Sequence, residues 1–356
     1  MTRAGALGLA AAVWLAGCLP SSQKELDRTV SAADSASAAI AASTPVDTLG
    51  LVWTAEAPEA EPMRLPTTLA WVGDALAVVE TGDGSVRRFT GAGTYLDATA
   101  LPPEGFPYLA GVRGDTVVVL ARGAGELWWA VPGRGVVRRV PVPAGTSAAL
   151  AGPGRLAVRV GGGTGPDPAV VWLSESGRET ARTPLPGAPW RSVGFLRPWG
   201  DTLLALSGYR PVLDVVAPGA PADTLALVGF DSPQMVRSAQ FARGDVDEPP
   251  LLASSAAALG DRLFVLNLRD DHVRVDVYGS DGRLQRVLVS PGERLPARPV
   301  ALDLAVRQRG GAVEVAVLRS QPPGLLRASA SELALYRWRP PGAAYSSTSA
   351  REARKR

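Results

Sequence analysis

Among the residues of this chain that could act as an acid, a base or a nucleophile, His272 is the most distinctive. It is the only histidine, and it ends the run Arg269-Asp270-Asp271-His272. A carboxylate next to an imidazole can orient it as the base of a serine triad, so His272 is a candidate catalytic residue. The alternative interpretation is a solvated hairpin turn, in which adjacent acidic residues serve solubility.

Paired carboxylates are a second possible chemistry. Glu80 and Asp83 could meet Asp270 and Asp271 and perform acid–base catalysis on a glycan, if both pairs face one cleft. Acidic residues in turns are more often only solvated, and this alternative stays open.

Other kinds of site lack the residues they need. Lys24 and Lys355 are the only lysines, so the central part of the chain has no amine for a Schiff base. A single histidine and a single asparagine, Asn267, provide no set of metal ligands of the usual kind. We therefore expect no metal and no cofactor.

Aromatic and arginine side chains suggest recognition instead. Residues of these types are enriched in the hot spots of binding interfaces. The candidates for binding are Arg122, Trp190, Tyr209 and Arg210, together with the acidic residues Glu80, Asp83, Asp270 and Asp271. The segment 229–250 is the longest between repeats and is a further candidate. For Trp190 the alternative is ordinary packing between repeats.

A short phrase recurs along the chain and predicts the elements that must position these residues. Gly-Asp followed by an apolar run occurs at Gly73, Gly114, Gly200 and Gly260, with weaker copies at Gly154 and Gly310. The spacing of roughly 40 to 60 residues is the period of β-propeller blades. Glycine and aspartate suit the hairpin turns that such blades need.

This pattern resembles six-bladed β-propellers of the NHL and TolB-like type, over residues 48–340. The resemblance implies an all-β ring of six blades, with loops between second and third strands gathered on one face. The sixth repeat has only three strands, whereas Leu51, Val52 and Trp53 form an apolar strand before the first repeat. We therefore predict that this N-terminal strand closes the last blade.

The beginning of the chain predicts where the protein lies. Leu15-Ala16-Gly17-Cys18 follows an apolar run and resembles the lipobox of bacterial lipoproteins, in which the cysteine is acylated after cleavage. The resemblance implies a signal peptide over 1–17, acylation of Cys18, and a cell-envelope location, with Leu19 favouring the outer membrane. Residues 18–47 are rich in Ala and Ser and predict a tether, with a short helix over 32–42 as the alternative.

Charge does not favour nucleic acid as a partner. The formal charge is +3, but without Arg3 and the basic tail Arg351–Arg356 it is −1 for residues 18–350. Residues 341–356 are predicted to be a disordered tail. The sequence thus favours a monomeric, lipid-anchored binding or scaffold propeller for an envelope protein or glycan. The alternative is a propeller hydrolase or lyase acting on glycans or lactones.

Overall fold

The protein is almost entirely β-structure. The computed structural model describes residues 37–55, 58, 62–161, 167–186, 191, 193–269, 271–291, 300–320 and 331–341. The helices are α1 (residues 37–43) and α2 (Met235–Arg243). The strands are β1 (Val46–Thr48), β2 (Gly50–Ala55), β3 (Pro66–Val72), β4 (Ala75–Glu80), β5 (Ser85–Phe89), β6 (Tyr95–Ala100), β7 (Pro107–Arg113), β8 (Thr116–Ala121), β9 (Glu126–Val131), β10 (Gly135–Pro141), β11 (Thr146–Gly152), β12 (Arg155–Val160), β13 (Ala169–Leu173), β14 (Glu179–Pro184), β15 (Phe195–Trp199), β16 (Thr202–Leu206), β17 (Val212–Val216), β18 (Asp223–Ala226), β19 (Ala253–Leu259), β20 (Arg262–Asn267), β21 (Arg274–Tyr278), β22 (Leu284–Val289), β23 (Val300–Arg309), β24 (Ala312–Ser320) and β25 (Glu332–Trp338).

The recurring glycine phrase forms the hairpin between the first and second strand of every blade. All six glycines have positive φ, from 54° at Gly200 to 65° at Gly154. A side chain at such a φ is strained, so glycine is the residue that fits these turns. The repeat in the sequence therefore marks the same turn six times, as predicted.

Six antiparallel sheets stand in a ring, which confirms the predicted six-bladed propeller. Blades 1 to 6 begin at β3, β7, β11, β15, β19 and β23, and the first strands of successive blades contact one another around the centre, β23 meeting β3. The core lies between the faces of neighbouring blades, in apolar clusters that each combine residues of adjacent sheets. The first strands therefore line a central channel.

The N-terminal strand closes the last blade, as predicted. β2 pairs antiparallel with β25 as the outermost strand of blade 6, from Gly50 opposite Arg337 to Ala55 opposite Leu333. The chain thereby covers the edge that β25 would otherwise expose.

The predicted tether over 18–47 is wrong for its last part. The residues 37–43 are helical, Ile40 packs against the core between blades 4 and 5, and Ser37 Oγ accepts the N–H of Gly229 at 2.9 Å. β1 then pairs parallel to β22 as a fifth strand of blade 5, and Leu49 is fully buried. Ile40 and Leu49 give this segment enough apolar surface to be ordered, which the alternative of a short helix anticipated in part. We name residues 37–48 the strap.

Cys18, the signal peptide over 1–17 and the tail beyond 341 lie outside the described residues. Within the part of the chain that is described, no helix is long and apolar enough to cross a membrane.

Candidate functional site at the mouth of the channel

The inner strands begin on one face of the ring, where the loops between second and third strands and the segments between blades also lie. We call this the mouth face, and the opposite face, with the six glycine turns, the turn face. A cavity of about 210 Å³ opens on the mouth face between blades 1 to 4. Its polar and aromatic lining consists of Thr68, Tyr108, Arg122, Ser147, Phe195 and Arg197.

Arg122 is held over this cavity by an aromatic ring and a carbonyl. Its guanidinium carbon lies 4.4 Å from the centre of the Tyr108 ring, and its Nε and Nη2 donate to the Ser147 carbonyl on the neighbouring blade. A cation over an aromatic face is attracted by the ring quadrupole. No carboxylate among the described residues pairs with Arg122, so its positive charge is uncompensated at the mouth.

Arg197 is the second arginine of the mouth and it differs in having a buried partner. Its guanidinium lies 4.8 Å from the centre of the Phe195 ring, and Nη2 donates to Asp303 at 2.7 Å. Asp303 is fully buried in the first strand of blade 6. It also accepts the N–H of Leu69 at 2.9 Å and the hydroxyl of Ser255. This one carboxylate therefore joins the inner strands of blades 1, 4, 5 and 6 across the channel.

Phe106, two residues before Tyr108 of the cavity wall, has a strained backbone. It is 59% exposed and is the one non-glycine residue of the described chain with positive φ, at 43°. Two contacts of the preceding Gly105 hold this loop in place. Gly105 packs so closely on Trp128 that an added Cβ would lie 2.5 Å from the ring, and its carbonyl accepts the N–H of Gly123 at 3.0 Å. Bulky residues adopt this conformation only when their surroundings impose it, and such positions concentrate at functional sites.

Glu80 and Asp83 are engaged within blade 1. The Glu80 carboxylate is buried and accepts the backbone N–H groups of Arg64, Leu65 and Gly82. Burial raises the pKa of Glu80, although these N–H groups oppose the shift. Asp83 pairs with the buried Arg87 and accepts the Ser85 hydroxyl at 2.7 Å. Both carboxylates hold local backbone and side chains in place.

His272 lies in the loop between the second and third strands of blade 5, on the mouth face. Its Nδ1 lies 2.6 Å from Oδ1 of Asp271, and this bond lowers the pKa of the Asp271 carboxyl. No serine hydroxyl bonds the imidazole among the described residues. Asp270 lies outside that part of the chain, so the arrangement contains a His–Asp pair without an assembled nucleophile.

Tyr209 and Arg210 are half-buried next to the insertion between blades 4 and 5, which contains α2. The hydroxyl of Ser238, on α2, donates to Tyr209 O at 3.2 Å. The insertion itself is anchored by the buried Phe230 and Leu252. Trp190 lies outside the described residues.

Two buried ionic clusters were not anticipated by the sequence interpretation. Arg159 is fully buried and donates to Leu206 O at 3.1 Å and Ser207 Oγ at 3.0 Å, while burial lowers its pKa to about 10. The neighbouring Arg191 pairs with Asp214 at 3.1 Å, and burial raises the pKa of Asp214. A charged residue inside an apolar strand, as in Leu156-Ala157-Val158-Arg159-Val160, was the available signal.

The second cluster joins the insertion to blade 5. Asn267 Nδ2 donates to Asp276 at 2.7 Å and to Asp231 O at 2.8 Å, and Arg274 bonds both Asp276 and Asp231. Arg269 also pairs with Asp231, at 3.1 Å. Burial raises the pKa of Asp276. These charges are satisfied within the fold.

Metal ligands do not gather anywhere in the described ranges: no group of three or more His, Cys, Asp or Glu side chains there could hold an ion. Around the cavity of the mouth, Arg122 and Arg197 lie on aromatic rings, and Asp303 is a buried internal partner.

No protein-family model and no curated protein matches the chain. Solved structures do resemble it. A catalytically inactive virginiamycin B lyase from Staphylococcus aureus with quinupristin has 9% identity and a TM-score of 0.51, covering 80% of this chain and 99% of that one. The calcium-binding protein regucalcin from Agrobacterium tumefaciens has 12% identity and a TM-score of 0.51, covering 83% and 97%.

The PQQ-bound aldose sugar dehydrogenase from Streptomyces coelicolor also has 12% identity and a TM-score of 0.51, over 83% of this chain and 100% of that one. Such propellers therefore include enzymes as well as a binding protein. At these identities the likeness concerns the fold alone, and by that fold this chain is a six-bladed β-propeller.

Proposed function

We propose that this protein is a binding propeller, held at the cell envelope by an acylated Cys18, that takes an envelope protein or glycan at its channel mouth. The observation that carries the proposal is Arg122, which lies over Tyr108 with no carboxylate partner among the described residues. An uncompensated arginine on an aromatic ring, beside the exposed Phe106, has the composition of an interface hot spot.

The acidic residues support the same conclusion. Glycoside hydrolysis needs two carboxyl groups placed about 5 to 9.5 Å apart around the bond to be broken. Glu80 and Asp83 are instead bound by backbone N–H groups, Ser85 and Arg87. These hydrogen bonds and this ion pair give Glu80 and Asp83 a structural role.

A photo-crosslinking experiment in cells tests the mouth. Phe106 is replaced by the photoreactive residue p-benzoylphenylalanine, and Val137, an exposed residue of the outer strand of blade 2, is the matched control. We expect an adduct from position 106 and none from 137, with the yield reduced at least tenfold by Arg122→Ala. Digestion of the adduct by a protease or by a glycosidase distinguishes a protein from a glycan. Equal adducts from both positions would contradict the proposal.

The anchor is tested separately. Replacing Cys18 by Ala should abolish incorporation of labelled palmitate and release the protein from membranes, because the acylated thiol is gone. Unchanged labelling of the Cys18→Ala variant would refute the lipid anchor while leaving the mouth proposal intact.

An enzyme acting on glycans or lactones is the second candidate, and the His272–Asp271 pair at 2.6 Å is the observation that favours it. If His272 is a catalytic base, His272→Ala should abolish hydrolysis of a lactone panel. If the protein shows no turnover, or if turnover survives this substitution, the catalytic role of His272 is refuted and binding remains the proposed function.

A further inference from the structure

The central channel contains a second cavity, which reaches toward the turn face. Its volume is about 340 Å³, and the inner strands of all six blades contribute to its wall. The lining includes Leu69, Leu109, Leu150, Leu196, Leu304 and Val306, with small residues between them. Ligand pockets are typically 300 to 1,000 Å³ and mostly apolar with a few polar groups, and this cavity fits that description.

Water is poorly held in such a space. A water molecule in a protein interior needs 2 to 4 polar partners, and apolar cavities of about 150 Å³ stay dry and bind benzene. This cavity is about twice as large, while the one charged side chain in its lining is Arg197. It therefore has the size for a molecule of about two aromatic rings.

The charge at the mouth-side end of the cavity is compensated. Arg197 donates to the buried Asp303 at 2.7 Å and to Leu196 O at 3.2 Å. Asp303 in turn accepts backbone N–H groups of Leu69 and Leu304 and the Ser255 hydroxyl. An ionised ligand would find no uncompensated opposite charge there and would lose its hydration, so the cavity favours a neutral molecule.

Trp71 forms part of the wall near the glycine turn of blade 1, at the end of the cavity away from Asp303. Its indole N–H is buried, so the cavity meets carbon atoms of the ring. The guanidinium carbon of Arg307 lies 3.4 Å from the centre of the same ring. Trp71 therefore adds apolar surface to the wall.

We infer that the channel binds a neutral, apolar small molecule of about two rings, which enters from the turn face. This site is distinct from the protein or glycan contact proposed at the mouth and does not depend on it.

The probe is 6-propionyl-2-dimethylaminonaphthalene, a neutral naphthalene with one ketone whose emission shifts to the blue in apolar surroundings. We expect saturable binding of one probe per protein. The anionic 8-anilinonaphthalene-1-sulfonate, which also has a naphthalene ring, should bind at least tenfold more weakly. Absence of saturable binding, or tighter binding of the anion, would overturn the inference.

Variants locate the site. Ala258→Trp fills the cavity from blade 5 and should weaken probe binding at least tenfold, while Ala98→Trp, on the exposed face of β6, should not change it. Ala305→Phe fills the cavity from blade 6 and is the second filling variant, to be used if Ala258→Trp does not fold. Probe binding that survives both filling variants would refute the channel site, whereas Arg122→Ala should leave it unchanged.

Discussion

Blades 2 and 5 both place an arginine in the loop between their second and third strands, and the two arginines meet different surroundings. In blade 5, Arg269 pairs with Asp231, which the insertion before the blade supplies. In blade 2, Arg122 finds a tyrosine ring and a carbonyl, and the short segment before the blade supplies the exposed Phe106. The segment that enters a blade therefore determines whether the arginine of its loop has a carboxylate partner within the described fold.

The last residue of the second strand accounts for part of this difference. Asn267 in blade 5 and Glu80 in blade 1 both hold the entering segment by hydrogen bonds to its backbone. At the same position blade 2 has Ala121, which has no polar side chain. The loop of blade 2 is thus free of the polar network that occupies the loop of blade 5.

The largest effect is expected from breaking the network of blade 5. Asp276→Ala removes the partner that Arg274 and Asn267 share, and removing one member of a buried ion pair costs about 3 to 5 kcal/mol. Urea denaturation measures the loss. Arg122→Ala, its counterpart in blade 2, removes an exposed cation–π contact and should change the free energy of unfolding by no more than about 1 kcal/mol. Equal losses would show that both loops are structural.

Removing the strap tests the extra cover that blade 5 has and blade 2 lacks. Deletion of 37–48 exposes the core around Ile40, breaks the pairing of β1 with β22 and removes the hydrogen bonds that join Ser37 to Gly229 and Asp47 to Trp338. Partial burial of one large aliphatic side chain and two side-chain hydrogen bonds together predict a loss of about 2 to 4 kcal/mol. Deletion of residues 20–36 is the control and should leave the thermal midpoint unchanged. A protein whose midpoint is insensitive to loss of 37–48 would contradict the packing of the strap.

A pH series extends the comparison to blade 1. Burial raises the pKa of Glu80 above its ordinary 4.5, so the folded state binds this proton more tightly than the unfolded state. The contribution of protonated Glu80 to the free energy of unfolding is present below pH 4.5 and is lost as the pH rises through the pKa of the folded state. Glu80→Gln removes this titration, so the stability of the wild type relative to the variant should fall as the pH rises from 4.5. A difference that is constant with pH would contradict the assignment.

The smallest effects on stability are expected at the exposed positions. Phe106→Gly relieves a positive φ but adds backbone entropy to the unfolded chain, and these terms of about 1 kcal/mol oppose each other. Its thermal midpoint should therefore stay near that of the wild type, while co-purification of the partner identified by crosslinking is lost. His272→Ala should likewise change stability by under about 0.5 kcal/mol. A large loss of stability at Phe106 would make its conformation a requirement of folding.

The ring could be predicted from the sequence because the same glycine turn occurs in all six repeats. Gly-Asp before an apolar run indicates a hairpin turn, which is a local conformation. Closure of blade 6 by the N-terminal strand could be predicted because the last repeat contains only three strands. The role of Glu80 could not be predicted, because it depends on backbone N–H groups of the segment that enters from blade 6. The role of Asp83 depends on how Arg87 is packed within blade 1. The site itself depends on Phe106 and Arg122, whose exposure is set by tertiary packing and has no signature in the sequence. Asp303 did have a signal, as the lone charge in Ala301-Leu302-Asp303-Leu304-Ala305, and that signal was missed.

The pairing of β2 with β25 sets an order of events for the newly made chain. The two strands are separated by nearly the whole length of the propeller in sequence, so the ring can close only after the last blade has left the ribosome. Until then β2 has no partner, and the free edge of β25 can pair with other chains once it appears. Protection of the nascent chain by a chaperone should therefore matter most in the interval just before residues 332–338 reach β2.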